Sequence, residues 1–244
     1  MDTNTDPLKI LSLGEISIRG EFLWGSNYTF LSEVTLAGEQ LLAVYKPTKG
    51  ERPLWDFPVN TLAKREAAAY HVSQALGWDL VPPTVYRKQG PLGPGSLQLY
   101  VEHDPEYHYF VFSPADRQRL RPTVIFDILI NNADRKGSHI LRDANNRLWL
   151  IDHGVCFHVE DKLRTVIWDF VGEQIPEALC ADVTRFLQAL KPTKNGPSEL
   201  AQCLSAYLSR GEIRALAMRS ERLISSGRFP PPDPYRRVFP WPQV

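Results

Sequence analysis

Strand-like alternation of apolar and polar residues runs through the first quarter of the chain. The segments ISIRGEFL and YTFLSEVTL are joined by Trp24-Gly25-Ser26-Asn27. The turn AGEQ then leads into LLAVYKP, which Pro47 ends. Residues from Glu15 to Lys46 therefore predict a three-stranded meander. Over 61–77, TLAKREAAAYHVSQALG, the period becomes helical. Leu62, Ala69, Val72 and Leu76 share a face, Thr61 suits an N-cap, and Gly77 suits the residue that ends a helix. After VPPTVYR and a Gly/Pro turn, SLQLYVEH returns to a strand pattern, and the stretch from His103 to Pro114 reads as a connector.

Beyond the connector the pattern is mainly helical. ADRQRLRPTVIFDILIN, residues 115–131, has helical spacing, with Pro122 placed to restart or kink the helix. HILRD and RLWLID form two short strands around Ala144-Asn145-Asn146, and helical segments follow at about 176–190, 197–208 and 211–225. The tail GRFPPPDPYRRVFPWPQ is too rich in proline for a helix or a central strand, so it either packs as an extended arm or stays mobile. The expected architecture is an α+β chain in two lobes. A β-rich lobe with one main helix spans 10–104, a mainly helical lobe with one hairpin spans 105–228, and a Pro-rich tail covers 229–244.

Composition narrows the functional classes. With 244 residues, 43% of them hydrophobic, the chain can bury a large core or two smaller ones. Lys plus Arg and Asp plus Glu are 28 each, so no global field draws the molecule to nucleic acid or to an anionic membrane. An anionic ligand has to be held by local charge. The cysteines, Cys156, Cys180 and Cys203, are odd in number and match no zinc spacing, which suits a reducing compartment. The start, MDTNTDPLKI, lacks a signal-peptide pattern, and no segment approaches the roughly 18 apolar residues of a membrane span. These features predict a cytoplasmic chain without integral membrane association, for which a monomer suffices.

Candidate chemistry centres on a few polar positions. Lys46, at the end of a strand, follows a Gly-Ser-Asn turn whose backbone N–H groups and Ser26 hydroxyl suit phosphate oxygens. Taken alone, Lys46 reads as a surface lysine ahead of a proline, and Gly25-Ser26-Asn27 as an ordinary hairpin turn. Glu66, in the helix that follows, is either a solvent-facing member of a KRE run or an inward partner for Lys46. Asp134 and Asp152 lie eighteen residues apart on the two sides of the hairpin, in NNADRKGSHIL and LIDHG. Either aspartate singly suits a turn. Both in this order fit phosphoryl transfer from ATP, which needs one carboxylate to orient a hydroxyl and another to hold Mg²⁺.

The segments NNADRKGSHIL and LIDHG resemble the catalytic and metal loops of the phosphatidylinositol 3-/4-kinase superfamily and, less closely, of HipA-type kinases. The longer series VYKPTKGERPLWDFP, LAKREAAAY, ALGWDLVPPTV, GPLGPGS and DHGVCFHVEDKLRTVIW is similar to a bacterial family, typical of Actinobacteria and Chloroflexi, of phosphatidylinositol-kinase-like proteins. The resemblance implies a two-lobed protein-kinase-like fold. It also implies Lys46 on the ATP phosphates with Glu66 as its partner, and Gly25, Ser26 and Asn27 as the phosphate loop. Backbone near Tyr100, Val101 and Glu102 would meet adenine. Asp134 would be the catalytic carboxylate, Arg135 its supporting arginine, and Asp152 the main metal ligand.

His139 stands where the superfamily usually has Asn, and its imidazole nitrogen suits Mn²⁺ better than Mg²⁺. The implied activity is phosphoryl transfer to a hydroxyl on a lipid, protein or small molecule. The alternatives are a nucleotide-binding pseudokinase and an AMP transferase. Lys162 and Arg164, in the segment after Asp-His-Gly, are placed to meet an anionic group on the acceptor.

Overall fold

The computed structural model describes residues 6–22, 28–194 and 196–244. A short helix that the hydrophobic pattern did not predict comes first, α1 (Pro7–Leu13). It starts at an Asp6 side chain that accepts the Leu8 N–H at 2.9 Å, with proline in its first turn. The meander follows as β1 (Glu15–Glu21), β2 (Phe30–Leu36) and β3 (Glu39–Pro47), antiparallel throughout. Its second turn runs through Ala37 and Gly38, both with positive φ, as a tight hairpin requires.

Two more strands, β4 (Thr84–Arg87) and β5 (Gly95–Leu99), complete a sheet ordered β1-β2-β3-β5-β4. β4 tolerates the preceding prolines because it lies at the edge. β5 ends at Leu99, earlier than SLQLYVEH suggests. One sheet face closes over α1, with Ile10, Leu11, Val34, Ala43, Tyr45 and Leu97 as its core. Strand alternation turns Ala43 and Tyr45 into that core, which places Val44 and Lys46 on the opposite face.

On that opposite side lies α2 (Leu62–Leu76), ended by a left-handed Gly77 whose N–H reaches the Gln74 and Ser73 carbonyls. Its N-terminus differs from expectation. Thr61 makes no side-chain cap and donates instead to the Pro58 carbonyl, while Glu51 takes the Ala63 N–H at 2.9 Å. The helix is buried on nearly all sides, which its three consecutive alanines permit. It touches β4 and β5 on one flank and the C-terminal helices α5 (Glu177–Leu190) and α6 (Glu199–Ser205) on the other.

After the connector come α3 (Pro114–Gln118) and α4 (Arg121–Ile130), separated where Pro122 enters the first turn of α4. The hairpin of β6 (Ile140–Arg142) and β7 (Leu148–Leu150) comes next, and α7 (Arg210–Ser226) closes the helical set. Phe126, Leu129, Ile140, Leu150, Phe157 and Phe186 are part of the core they share. The Pro-rich tail packs as an extended arm. Phe229 is buried 5.5 Å from Phe170, the Val238 carbonyl accepts the Thr165 N–H at 3.0 Å, and the Gln243 carbonyl accepts that of Gly137 at 2.8 Å. Among the described residues no helix is long and apolar enough to cross a membrane.

One buried cation joins the lobes. Arg65 of α2, 2% exposed, donates to the Cys156 carbonyl at 2.6 Å and to Glu212 of α7 at 2.5 Å, and its guanidinium lies 4.9 Å from the Phe57 ring centroid. Arg65→Ala leaves the Glu212 carboxylate without that partner. Urea titration of the full chain should show a loss of about 3–5 kcal/mol, the usual cost of breaking a buried ion pair from one side.

Candidate active site

The loop after α4 is built around a second buried arginine. Asn131 ends the helix in the left-handed conformation at φ 54°, and its side chain bonds the His158 and Glu160 carbonyls and the Lys162 N–H. Asn132 donates to Asp127 at 3.0 Å and accepts the Asp134 N–H at 2.9 Å. Arg135 is wholly buried, and its Nε and Nη2 grip the two Asp127 oxygens at 2.9 Å each. Nη1 donates to the His139 and Ile151 carbonyls, at 3.2 and 2.9 Å, where the hairpin opens. Nη2 also meets His153 Nε2 at 2.9 Å. Since arginine only donates, that nitrogen accepts and the imidazole proton sits on Nδ1. Arg135 is thus enclosed within the loop and acts on the site through the backbone and side chains it holds and through its charge, which helps to depress the His139 pKa.

The hairpin returns the chain so that Asp152 faces Lys46. Lys46 Nζ lies 2.9 Å from Asp152 Oδ1 and 2.6 Å from Glu66 Oε1. The other Glu66 oxygen accepts the His153 backbone N–H at 2.9 Å, so one carboxylate on α2 ties the lysine strand to the Asp-His-Gly loop. Burial opposes the Lys46 charge, yet Asp152 and Glu66 together hold its pKa above the ordinary value. Burial also opposes the Asp152 carboxylate, and Lys46 and His139 outweigh it, keeping the carboxyl well below the usual range. Asp152 itself has a φ of 61°, a left-handed conformation that aspartate tolerates better than most residues.

His139 Nε2 is 3.3 Å from the second Asp152 oxygen. Burial lowers its pKa to about 4, with Asp152 opposing, so the ring is neutral at neutral pH. Its Nδ1 accepts a long 3.4 Å bond from the Lys136 N–H, so ligation through Nε2 requires the ring to move its proton to Nδ1 and give up that contact. Among the described residues no group of three or more His, Cys, Asp and Glu side chains is arranged to hold a metal ion. Asp152, and His139 once its proton has moved to Nδ1, would present two donors side by side. That fits a cation that completes its shell with water and nucleotide phosphate.

Asp134 stands apart from this cluster, a third exposed, with Lys136 Nζ at 3.7 Å. Burial raises its carboxyl to about 6; Lys136 and Arg164 pull it down, and Asp152 pushes it up. The two carboxyls are therefore shifted in opposite directions.

A cavity of about 290 Å³ opens from this cluster. Its walls include Phe22, Val44, Leu99, Leu141 and Ile151, with Lys46, Ser138, His139 and Asp152 also lining it. Tyr100 and Val101 form part of the rim and Glu102 lies beyond it. The Tyr100 N–H is taken by the Leu42 carbonyl and the Val101 carbonyl by His103, which leaves the Tyr100 carbonyl and the Val101 N–H without partners among the described residues. Gly25, Ser26 and Asn27, the expected phosphate loop, lie outside the described residues. The structure thus brings together Lys46, Glu66, His139 and Asp152, with Asp134 apart from them but within electrostatic reach of Asp152. Sequence reasoning missed Asp127, whose signal was a lone carboxylate within the apolar run VIFDILI, and Asn132.

No family model matches the chain. It is 40% identical to Protein Rv2133c of Mycobacterium tuberculosis across 99% of this chain and 97% of the relative, and it belongs to the same family. Among solved structures it is similar to a hydra Fam20 solved with sugar, at a TM-score of 0.57 and 16% identity, covering 90% of this chain and 86% of that one. The Golgi casein kinase with Mn/ADP bound gives a TM-score of 0.55 at 15% identity over 89% and 74% of the two chains. The Helicobacter pylori proinflammatory kinase CtkA gives 0.54 at 11% identity over 90% and 94%. The fold is therefore two-lobed and kinase-like.

The separation of the two aspartates can be measured directly. Followed by carbon NMR, the Asp134 carboxyl should titrate near the raised value of about 6. Lys136→Met should move that midpoint higher, because it removes a charge that favours the carboxylate. A midpoint close to the ordinary aspartate value of about 3.9 would refute the account of this site.

Proposed function

We propose that this member of the Rv2133c family is a phosphotransferase that moves the γ-phosphoryl group of ATP to a hydroxyl acceptor. The observation that carries the reading is the joint placement of Lys46, Glu66 and Asp152 at one end of an apolar-walled cavity, with Asp134 held apart and its carboxyl raised. On this reading Val44, Leu99, Leu141 and Ile151 sandwich the adenine, and the free Val101 N–H and Tyr100 carbonyl hydrogen-bond its edge. Lys46, oriented by Glu66, meets the phosphates.

A divalent cation held by Asp152 and His139 would offset the phosphate charge. Asp134 accepts the proton of the acceptor hydroxyl as its oxygen bonds to the γ-phosphorus. The bond from that phosphorus to the bridging oxygen breaks, and ADP leaves with the electron pair. A carboxyl near pH 6 suits this task, because it is ionised at neutral pH and still basic enough to take a proton. Arg135 is a positioning residue that fixes Asp134 through the loop.

The motif resemblance points toward phosphatidylinositol-kinase-like enzymes, whereas the similar solved folds are Fam20, a casein kinase and CtkA. Kinase folds host lipid, protein and metabolite acceptors alike, so the acceptor has to be argued from this chain's own surface. A nucleotide-binding module without turnover is the competing reading, and the connected Lys46–Glu66–Asp152 series favours catalysis over it.

Asp134→Asn should lower turnover by about 10²- to 10⁴-fold, the usual worth of a positioned general base. ADP affinity, read by calorimetry, should not change. Asp152→Asn should abolish the strengthening of ADP binding by a divalent cation. Full phosphotransfer by the Asp134 variant would sink the mechanism. The wild-type rate should fall as pH drops through about 6, since protonation there removes the base. His139→Asn should shift the metal preference from Mn²⁺ toward Mg²⁺, because a hard amide oxygen replaces an imidazole nitrogen. An unchanged ratio of rates with the two ions would exclude His139 from the metal site.

A further inference from the structure

A second and larger cavity, about 850 Å³, lies between α7, the segment 160–164 and the C-terminal arm. Its charge contrasts with a chain that is neutral overall. Lys162, Arg164, Arg219, Arg222, Arg236 and Arg237 line it, against Glu160, Asp161 and Asp233. Three of these cations have carboxylate partners: Lys162 with Asp56 at 2.9 Å, Arg222 with Asp161 at 2.9 Å, and Arg236 with Asp233 at 3.2 Å. Arg164, Arg219 and Arg237 have no ion pair among the described residues.

Arg219 is the most telling of the three. It is 3% exposed, its Nε donates to the Leu129 carbonyl at 2.8 Å and its Nη1 to that of His158 at 3.3 Å, and its Nη2 has no partner. Burial pushes its pKa down to about 10, so the fold holds a cation there at a cost. The indole N–H of Trp168, which also lines the cavity, is likewise buried and unpartnered. Two orphaned donors and three guanidinium groups without an ion pair on one cavity are the complement of a multiply charged oxyanion. Apolar side chains, among them Ile128, Leu163, Leu223 and Pro231, supply the rest of the wall, and the volume suits a small organic molecule.

The cavity is connected to the catalytic loop. The Arg164 N–H donates to the Asn132 carbonyl at 2.9 Å, its own carbonyl accepts the Arg135 N–H at 3.0 Å, and its charge acts on the Asp134 carboxyl. We infer that this cavity binds the phosphomonoester group of a small hydroxyl acceptor, with Arg164, Arg219 and Arg237 as its main ligands. The identification of the occupant as the acceptor rests on the phosphotransferase reading, whereas the anion site stands on the cavity alone. Such an acceptor is either a soluble polyol phosphate or the head group of an anionic lipid.

The test uses the full chain carrying Lys46→Ala, which silences phosphate binding in the nucleotide cavity. Calorimetry with inorganic phosphate and with glycerol 3-phosphate, and co-sedimentation with phosphatidylcholine vesicles containing phosphatidic acid, give the two arms. At least one probe should bind, and Arg164→Ala and Arg237→Ala should each weaken it by about tenfold, the scale of a lost charge-assisted hydrogen bond. Vesicle binding in excess of binding to the soluble probes assigns the lipid source, and the reverse assigns the soluble one. Saturation with the bound probe should raise the Asp134 titration midpoint, because it neutralises Arg164. No binding by any probe, or binding that both arginine variants leave intact, would overturn the site. Binding without movement of the Asp134 midpoint would overturn the acceptor assignment. ADP binding by the Arg164 and Arg237 variants with Lys46 restored reports separately on the phosphotransferase reading.

Discussion

A buried ion pair, Asp127 with Arg135, sets the geometry on which the candidate site depends. Both side chains are within 1% of full burial, so each charge has lost its water and must be satisfied by protein. Asp127 sits on a helix and takes the guanidinium fork, while the remaining donors of that fork fall on the two chain segments at the open end of the hairpin and on His153. A loop that would otherwise be free is thereby fixed at four points. Such a pair adds little net stability over a well-packed apolar replacement, and its value here is positional. With Arg135 enclosed, the residue before it in the chain, Asp134, has a defined place, its N–H held by the Asn132 side chain.

A second arginine does comparable work between the lobes. Arg65 and Glu66 are adjacent on α2 and point to different tasks: one to the backbone of Cys156 and to α7, the other to Lys46 and the His153 N–H. The helix therefore cannot shift without disturbing the contact between Lys46 and Asp152. The electrostatic result is a division between two carboxyls of the same type. Asp152, against Lys46 and His139, is held ionised at all ordinary pH, whereas Asp134, partly buried and repelled by Asp152, is drawn toward neutrality. Opposite shifts in neighbouring acids are the usual signature of a division between charge stabilisation and proton transfer.

Much of this arrangement was legible in the chain because it rests on strong local signals. The meander, the helix over 62–76 and the hairpin follow from periodicity and turn residues, and Lys46, Glu66, Asp134 and Asp152 stand out by their order. What was not legible depends on distant partners. Helix α1 is too short to show a period. The strand β4 is only four residues and exists because β5 pairs with it. Thr61 had the chemistry of a cap, but Glu51 from the preceding loop took that position. Arg65 looks like a surface residue in a KRE run, and Arg135, read as a supporting arginine, gave no sign of its partner; their burial follows from Glu212 and Asp127, which sequence spacing cannot pair with them.

The neutral composition was informative about the whole molecule and silent about its parts. A count of 28 against 28 excludes a global field, yet it conceals a cavity with twice as many cationic as anionic side chains around it. The proline-rich arm explains how that concentration is possible. Proline carries no N–H and restricts the backbone to extended forms, so a segment can cross the surface with few donors to satisfy and little entropy to lose. Its carbonyls at Val238 and Gln243 accept from Thr165, which pairs with Arg135, and from Gly137, which lies in the loop after α4. The arm is thus at once a wall of the cationic cavity and a brace for the loop that carries Asp134. Arg164 and Val238, which line the cavity, also hold that loop through their backbone bonds to Asn132, Arg135 and Thr165.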